Sequence, residues 1–222
     1  MGRVGLLIAA AGRGERLGCA EPKALVKLGA KTLLGHVLGR LAPLANETVI
    51  AVTLGDMEQF RRFLESAQIA NIQLVEGESH RQDSVRMALA CFSFSDVVII
   101  HDAARPLCPA KVAQRCLDVV EEGIGACAAL PVADTLVREE AAGFYGENIK
   151  RNEVWQVQTP QVFRWREIAE AHAWAYGQGR QFTDDASLYC ARGGKVRLVE
   201  GSPLSAKVTT PADLAWLENL RI

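Results

Sequence analysis

The chain has 222 residues, of which 49% are hydrophobic and 23% charged, and its formal net charge is -1. That is length enough for one domain with a full core, and so even a charge balance excludes wholesale binding to nucleic acid or to a membrane surface. The charge is unevenly spread, however: residues 1–40 carry seven Lys or Arg against Glu15 and Glu21, a local excess that fits a small anionic ligand better than a duplex. No apolar run approaches the ~20 residues of a membrane span. The six cysteines (19, 91, 108, 116, 127 and 190) form no C-x-x-C pair and no metal-ligand spacing. Reduced, mostly buried thiols in a cytoplasmic setting are expected. With a first strand expected at about Val4, a signal or transit peptide is not expected.

In chain order, Val4–Ala10 reads as a buried strand. It feeds a loop of small residues, AAAGRGERLG, followed by Lys23. Gly12 and Gly14 allow close approach of an anion to backbone N–H groups. Arg13, Arg16 and Lys23 then supply neutralising charge. The third glycine of a dinucleotide fingerprint is missing, since Leu17 holds its place, and no P-loop run exists. A polyphosphate site at the carboxyl end of a first strand is the reading that uses the three cations, where a plain packing turn would not.

Helical spacing follows over Thr32–Leu44, then a strand at Thr48–Leu54 and a helix at Asp56–Gln68 capped by Asp56. A short strand at Ile72–Val75 precedes the segment EGESHRQDSV, Glu76 to Val85, and a helix at Asp83–Phe92. Arg81 and Ser84 here could read a base edge or a ribose; equally, Asp83 and Ser84 could cap the helix. Asp96–His101 reads as a central strand buried on both faces, and Asp102, with Arg105 three residues on, ends it on the same sheet edge as the glycine loop. A carboxylate facing a polyphosphate calls for a cation between them, and Mg²⁺ suits that place; the alternative is a turn cap. His101 is expected to be hydrogen-bonded into the frame, and His36, His80 and His172 to be surface or packing residues. A helix at Ala110–Glu122 and a strand at Ala126–Val132 complete a β-α alternation, which predicts an α/β fold with a mostly parallel sheet flanked by helices.

The pattern breaks over residues 134–158, where alternating stretches flank a turn at Gly143 to Gly146. A protruding β-hairpin arm is expected, and because a solitary hairpin is poorly stable it should pack on a partner. Helices at Trp165–Tyr176 and Asp184–Ala191, the second opened by Thr183, precede a strand at Lys195–Val199 and a short one at Ala206–Val208. Lys207 in that apolar stretch wants an anion. A last helix starts at Pro211 with Thr210 as its cap.

The runs AAAGRGERLG and PK, G-x-x-x-RQDSV, HDAARP, DT, RN, TPQ, TDDAS and K-V-T-x-P-x-D-L occur in that order. In this order the chain resembles the 2-C-methyl-D-erythritol 4-phosphate cytidylyltransferase (IspD) family of the non-mevalonate isoprenoid pathway, over Val4 to Leu217. The resemblance implies a Rossmann-like nucleotide-diphosphosugar transferase fold as a single domain, a homodimer clasped through the arm, and dependence on Mg²⁺. It implies that CTP and a polyol phosphate are joined with release of pyrophosphate. Ala10, Ala11, Gly12, Gly14 and Gly77 would line the CTP cleft, with Ser84 on the cytidine and Asp102 serving metal and substrate. Arg16, Lys23 and Lys207 would be the catalytic cations. Ala103, Arg105, Thr159 and Thr183 would serve the substrate, with Thr135 and Arg151 reaching the other subunit's phosphate site. The chain departs from the family at Glu78, where a second glycine is usual, at Ala9 and at Glu15. A carboxylate at 78 could weaken CTP binding or be neutral to it. Ribitol 5-phosphate cytidylyltransferase is the nearest rival; a non-catalytic nucleotide-binding protein on the same fold is the other.

Overall fold

The computed structural model describes residues 2–12, 14–19, 21–93 and 95–220. Arg13, one of the three cations expected at the first loop, lies outside them, as does the side chain of Glu15.

The frame is a seven-stranded sheet. β1 (Val4–Ala9), β4 (Glu47–Val52), β5 (Ile72–Glu76) and β6 (Val97–Asp102) form its parallel half, in the order β6-β1-β4-β5. β10 (Trp155–Arg164) lies between β6 and β7 (Ile124–Pro131), antiparallel to both, and β11 (Lys195–Glu200) closes the far edge parallel to β7. Two short ribbons lie outside the sheet. One pairs β2 (Lys27–Leu28) with β3 (Lys31–Thr32); the other pairs β8 (Leu136–Glu140) with β9 (Phe144–Ile149).

Period-2 alternation sends successive strand residues to opposite faces, and two core layers result. Leu6, Ile8 and Ile99 pack against α1 (Leu33–Leu41), α2 (Met57–Ser66) and α4 (Ala110–Leu117). Leu7, Val98 and Ile100 pack on the other face against α3 (Arg81–Leu89), α5 (Trp165–Gly177) and α6 (Asp185–Ala191). A third cluster joins Leu17, Val26, Leu28 and Leu107 to Val208 and to Leu217 of α7 (Pro211–Asn219). It pins the chain around Lys207 against the first loop.

Several local expectations need correction. β10 was not anticipated as a sheet strand: it contains Pro160 and the cis Thr159–Pro160 peptide, and it shifts register between Val157 and Gln161. Its first residues, expected in the arm, pair with β7 instead. The arm itself is the β8–β9 ribbon, turning at Ala141–Gly143. α3 begins at Arg81, so Asp83 and Ser84 lie inside its first turn and His80 takes the cap position. Asp184, not Thr183, caps α6, its side chain accepting from the Ser187 N–H. Asp56 holds the cap position of α2 without a side-chain hydrogen bond. Residues 206–208 form no strand. Thr210 does cap α7, in a reciprocal capping box with Asp213. All six cysteines are free, but only Cys108, Cys116 and Cys127 are buried.

Candidate active site

The carboxyl ends of β1, β4, β5 and β6 open on one cleft of about 1240 Å³. Adjacent strands lie ~4.8 Å apart, so the order β6-β1-β4-β5 stretches the cleft along the sheet edge. At the β6 and β1 end it is lined by Asp102, Ala103, Ala10, Ala11, Gly12, Gly14, Arg16, Lys23 and Lys207. At the β4 and β5 end it is lined by Thr53, Leu54, Gly77, Glu78, Ser84 and Met87. Most of the residues singled out by sequence thus line this one cleft.

Asp102 is the hub. Its Oδ1 accepts from Arg81 Nε at 3.0 Å, and its Oδ2 from Lys207 Nζ at 2.9 Å, with Arg105 Nε 3.6 Å away. Burial alone would raise its pKa, but the three cations overrule it and hold the carboxyl far below the usual carboxylate range. The reach of the network was not legible in the sequence. Arg81 Nη2 also bonds Asp185 Oδ2 at 2.8 Å, and Asp185 Oδ1 meets Nε2 of buried His172 at 3.1 Å. Despite its burial, Asp185 is held at a pKa of about 2, chiefly by Arg81 and His172. Arg81 is shifted upward in turn by its two carboxylates against the pull of burial. The second acidic residue of TDDAS is therefore the far anchor of the cleft's central arginine.

Lys23 is the converse case. Burial lowers its pKa first, and repulsion from Lys207 and Arg16 lowers it further. Positive charges crowded this way await an anion. Gly14 has φ +66°, and a Cβ there would meet Lys23 Cβ at 2.8 Å, so the glycine gives the lysine its room. At Gly77 a Cβ would meet Ser84 Oγ at 2.5 Å and Ala11 Cβ at 3.0 Å. Ser84 Oγ accepts from the Glu78 N–H at 3.0 Å and lies within hydrogen-bond distance of the Glu78 and His80 carbonyls. It organises the loop at this end of the cleft.

The remaining sequence-derived residues stand elsewhere. Thr159 is buried behind Asp102: its Oγ1 accepts from the Asp102 N–H at 3.0 Å and lies 3.1 Å from His101 Nδ1. Arg105 donates to the Ser205 carbonyl at 2.7 Å. Thr135 and Arg151 are exposed on the arm and its base, Arg151 donating to the Ala133 carbonyl at 2.7 Å, and Thr183 is exposed before α6. His101 is built into the frame, its Nε2 on the Arg105 carbonyl, and burial pulls its pKa down to about 4. His172 is a buried partner of Asp185, while His36 bonds the Leu28 carbonyl.

A family model described as 2-C-methyl-D-erythritol 4-phosphate cytidylyltransferase matches residues 4–220. The chain belongs to the 2-C-methyl-D-erythritol 4-phosphate cytidylyltransferase family. A relative of that name from Deinococcus radiodurans is 42% identical over 98% of this chain and 89% of its own. A bifunctional enzyme IspD/IspF from Rhodospirillum rubrum is 39% identical over 99% of this chain, which spans 57% of that longer protein. The crystal structure of the cytidylyltransferase from Thermus thermophilus superposes with a TM-score of 0.81 at 34% identity, covering 97% of each chain. Cytidylyltransferase family membership and the mostly parallel, helix-flanked sheet thus agree with the motif order. Among the described residues no helix is long and apolar enough to cross a membrane.

Proposed function

We propose that this chain transfers a cytidylyl group from CTP to 2-C-methyl-D-erythritol 4-phosphate, giving 4-diphosphocytidyl-2-C-methyl-D-erythritol and pyrophosphate, in the non-mevalonate isoprenoid pathway. The observation that carries the chemistry is the cluster of Arg16, Lys23 and Lys207 lining one end of the cleft, with Lys207 bonded to the buried Asp102 carboxylate. The family carries the substrate.

A substrate phosphate oxygen attacks the α-phosphorus of CTP. One P–O bond forms, the bond to the bridging oxygen breaks, and its electron pair leaves on pyrophosphate. The attacking oxygen is already ionised, so no general base is required. The task is to bring anions into line and to neutralise charge as it shifts toward the leaving group. Arg16 and Lys23 neutralise the triphosphate, and Lys207 orients the attacking phosphate beside Asp102. Gly77 and Ser84 would seat the cytidine, Ala10, Ala11, Gly12 and Gly14 the phosphates, and Ala103 and Arg105 the polyol end.

The donors suit a magnesium ion that arrives with the triphosphate. Asp102 would offer one ionised carboxylate to such an ion, with phosphate oxygens and water as its remaining ligands. They do not suit a resident ion: no three potential ligands gather among the described residues, and both Asp102 oxygens already face cations. When bound, the ion adds charge neutralisation at the phosphates.

The arm is the dimer contact in this reading. Phe144 and Tyr145 stand 70% and 69% exposed on it, more apolar area than an isolated two-stranded ribbon can bury. Thr135 and Arg151 would then reach a neighbour's phosphate site, and Thr183 its own. A cytoplasmic location fits the six free thiols.

The test is pyrophosphate release with CTP and Mg²⁺, offering 2-C-methyl-D-erythritol 4-phosphate and ribitol 5-phosphate in parallel. Turnover of the first alone is expected. Turnover of the second alone moves the enzyme to the rival substrate, and release with neither overturns the reading.

A further inference from the structure

Glu78 brings a carboxylate to the wall of a cleft built for a polyanion. Its backbone is tied to α3, because Ser84 Oγ accepts from the Glu78 N–H at 3.0 Å and lies 3.1 Å from its carbonyl. What the structure provides instead is Arg86, in the second turn of α3. Arg86 Nη2 bonds Glu78 Oε1 at 2.9 Å, and the guanidinium stacks on the ring of Tyr176 in α5, with Cζ 4.1 Å from the ring centroid. Stacking fixes a planar cation as an ammonium could not be fixed. Arg86 Nε is buried without a hydrogen-bond partner, so the Glu78 carboxylate and the Tyr176 face are what hold the group.

The sheet order says which part of a nucleotide meets this pair. The cations cluster where β1 and β6 end, whereas Leu54, Met87 and Glu78 line the end of β4 and β5. A nucleoside triphosphate laid along the cleft puts its phosphates over the first and its base over the second. An unneutralised carboxylate here repels the whole ligand and competes for the space of the base.

We infer that Arg86, anchored on Tyr176, is a positioning residue that draws the Glu78 carboxylate aside and neutralises it, so that this chain takes CTP despite an acidic residue in its base loop. The inference rests on the cytidylyltransferase reading and goes beyond it, since it concerns a pair in which neither member transfers charge in the reaction. It assigns Arg86 an effect that exists only while Glu78 carries its charge.

The experiment is a double-mutant cycle read in KM for CTP and kcat separately, on Arg86→Ala, Glu78→Gln and the double variant, with thermal unfolding as the check on folding. Arg86→Ala is expected to raise KM for CTP roughly fivefold, as a partly exposed charge term of ~1 kcal/mol implies, with kcat nearly unchanged. The double variant should return to the KM of Glu78→Gln alone, and the fivefold difference should shrink in high salt. Should Arg86→Ala not fold, Arg86→Met keeps the aliphatic stem against Tyr176 and removes the charge, and the same cycle applies. An unchanged KM, or a double variant as impaired as Arg86→Ala alone, overturns the inference and leaves the function standing. A parent enzyme that neither binds nor turns over CTP overturns both.

Discussion

At the cleft floor Asp102 has three cations within 3.6 Å, and its nearest arginine is held from behind by a second buried carboxylate. On the arm, Arg151 bonds a carbonyl at the arm's own base, and Phe144 and Tyr145 face solvent. The two regions carry charged residues of similar sequence prominence, yet only one is internally complete. The difference is what each has to pack against. The cleft residues hang from strand ends and helix starts whose other faces are buried in two core layers, so their geometry is set before any ligand arrives. The ribbon of β8 and β9 lies outside the central sheet, and two strands alone cannot form a core. In the proposed function, a second copy of the chain would supply what the arm lacks.

The largest effect expected from breaking the complete region is on turnover. Lys23→Ala should lower kcat by ~10²–10³, about 3–4 kcal/mol, with thermal unfolding unchanged, because it removes a charge donor without leaving a buried partner unpaired. Near-normal pyrophosphate release by this variant would contradict the charge-neutralising mechanism.

Next comes stability. Asp185→Asn should destabilise the protein by about 3 kcal/mol in urea unfolding, since it strips a buried ionised partner from both Arg81 and His172. A change under about 0.5 kcal/mol would show that Arg81 needs only Asp102.

The buried histidine sharpens the comparison through pH. His101 is held neutral, with a pKa near 4 against 6.5 in the unfolded chain. The unfolded chain therefore binds the extra proton between these values, and stability falls as pH drops from 6.5 toward 4, by roughly 3 kcal/mol for ~2.5 pKa units. His101→Asn should flatten that slope in denaturant midpoints measured across the window. Asp102 and Asp185, both depressed, hold their contributions above pH 3.8 and lose them only below it.

The smallest effect on the folded chain belongs to the arm. Phe144→Ser should change unfolding free energy by less than about 0.5 kcal/mol, because the side chain is exposed. It should nonetheless weaken self-association in sedimentation velocity. Unchanged sedimentation would remove the arm from the dimer contact.

The parallel half of the sheet was legible because β1, β4, β5 and β6 are apolar runs set between helical periods, a pattern that local sequence reports directly. β10 was not, because Pro160 breaks the strand signal and its pairing partners lie across β6 and β7, far away in sequence. At the site the same division holds. Gly14, Lys23 and Asp102 announce themselves by chemistry at a strand end. Arg81 was seen but its role was open, and Asp185 and His172 were not seen as part of the site, since only the docking of α5 and α6 on α3 brings them to it. The start of α3 moved by two residues, and that shift turned Ser84 from a candidate cap into the clamp of the Glu78 loop.

The most direct measurement mixes two inactive proteins. Arg151→Ala subunits, with an intact cleft, and Lys23→Ala subunits, with an intact arm, are allowed to exchange, exchange is verified by mass, and pyrophosphate release is assayed with CTP, Mg²⁺ and 2-C-methyl-D-erythritol 4-phosphate. Heterodimers should recover activity, because each contains one intact cleft facing one intact arm. No recovery despite verified exchange would contradict a site completed by the neighbouring copy.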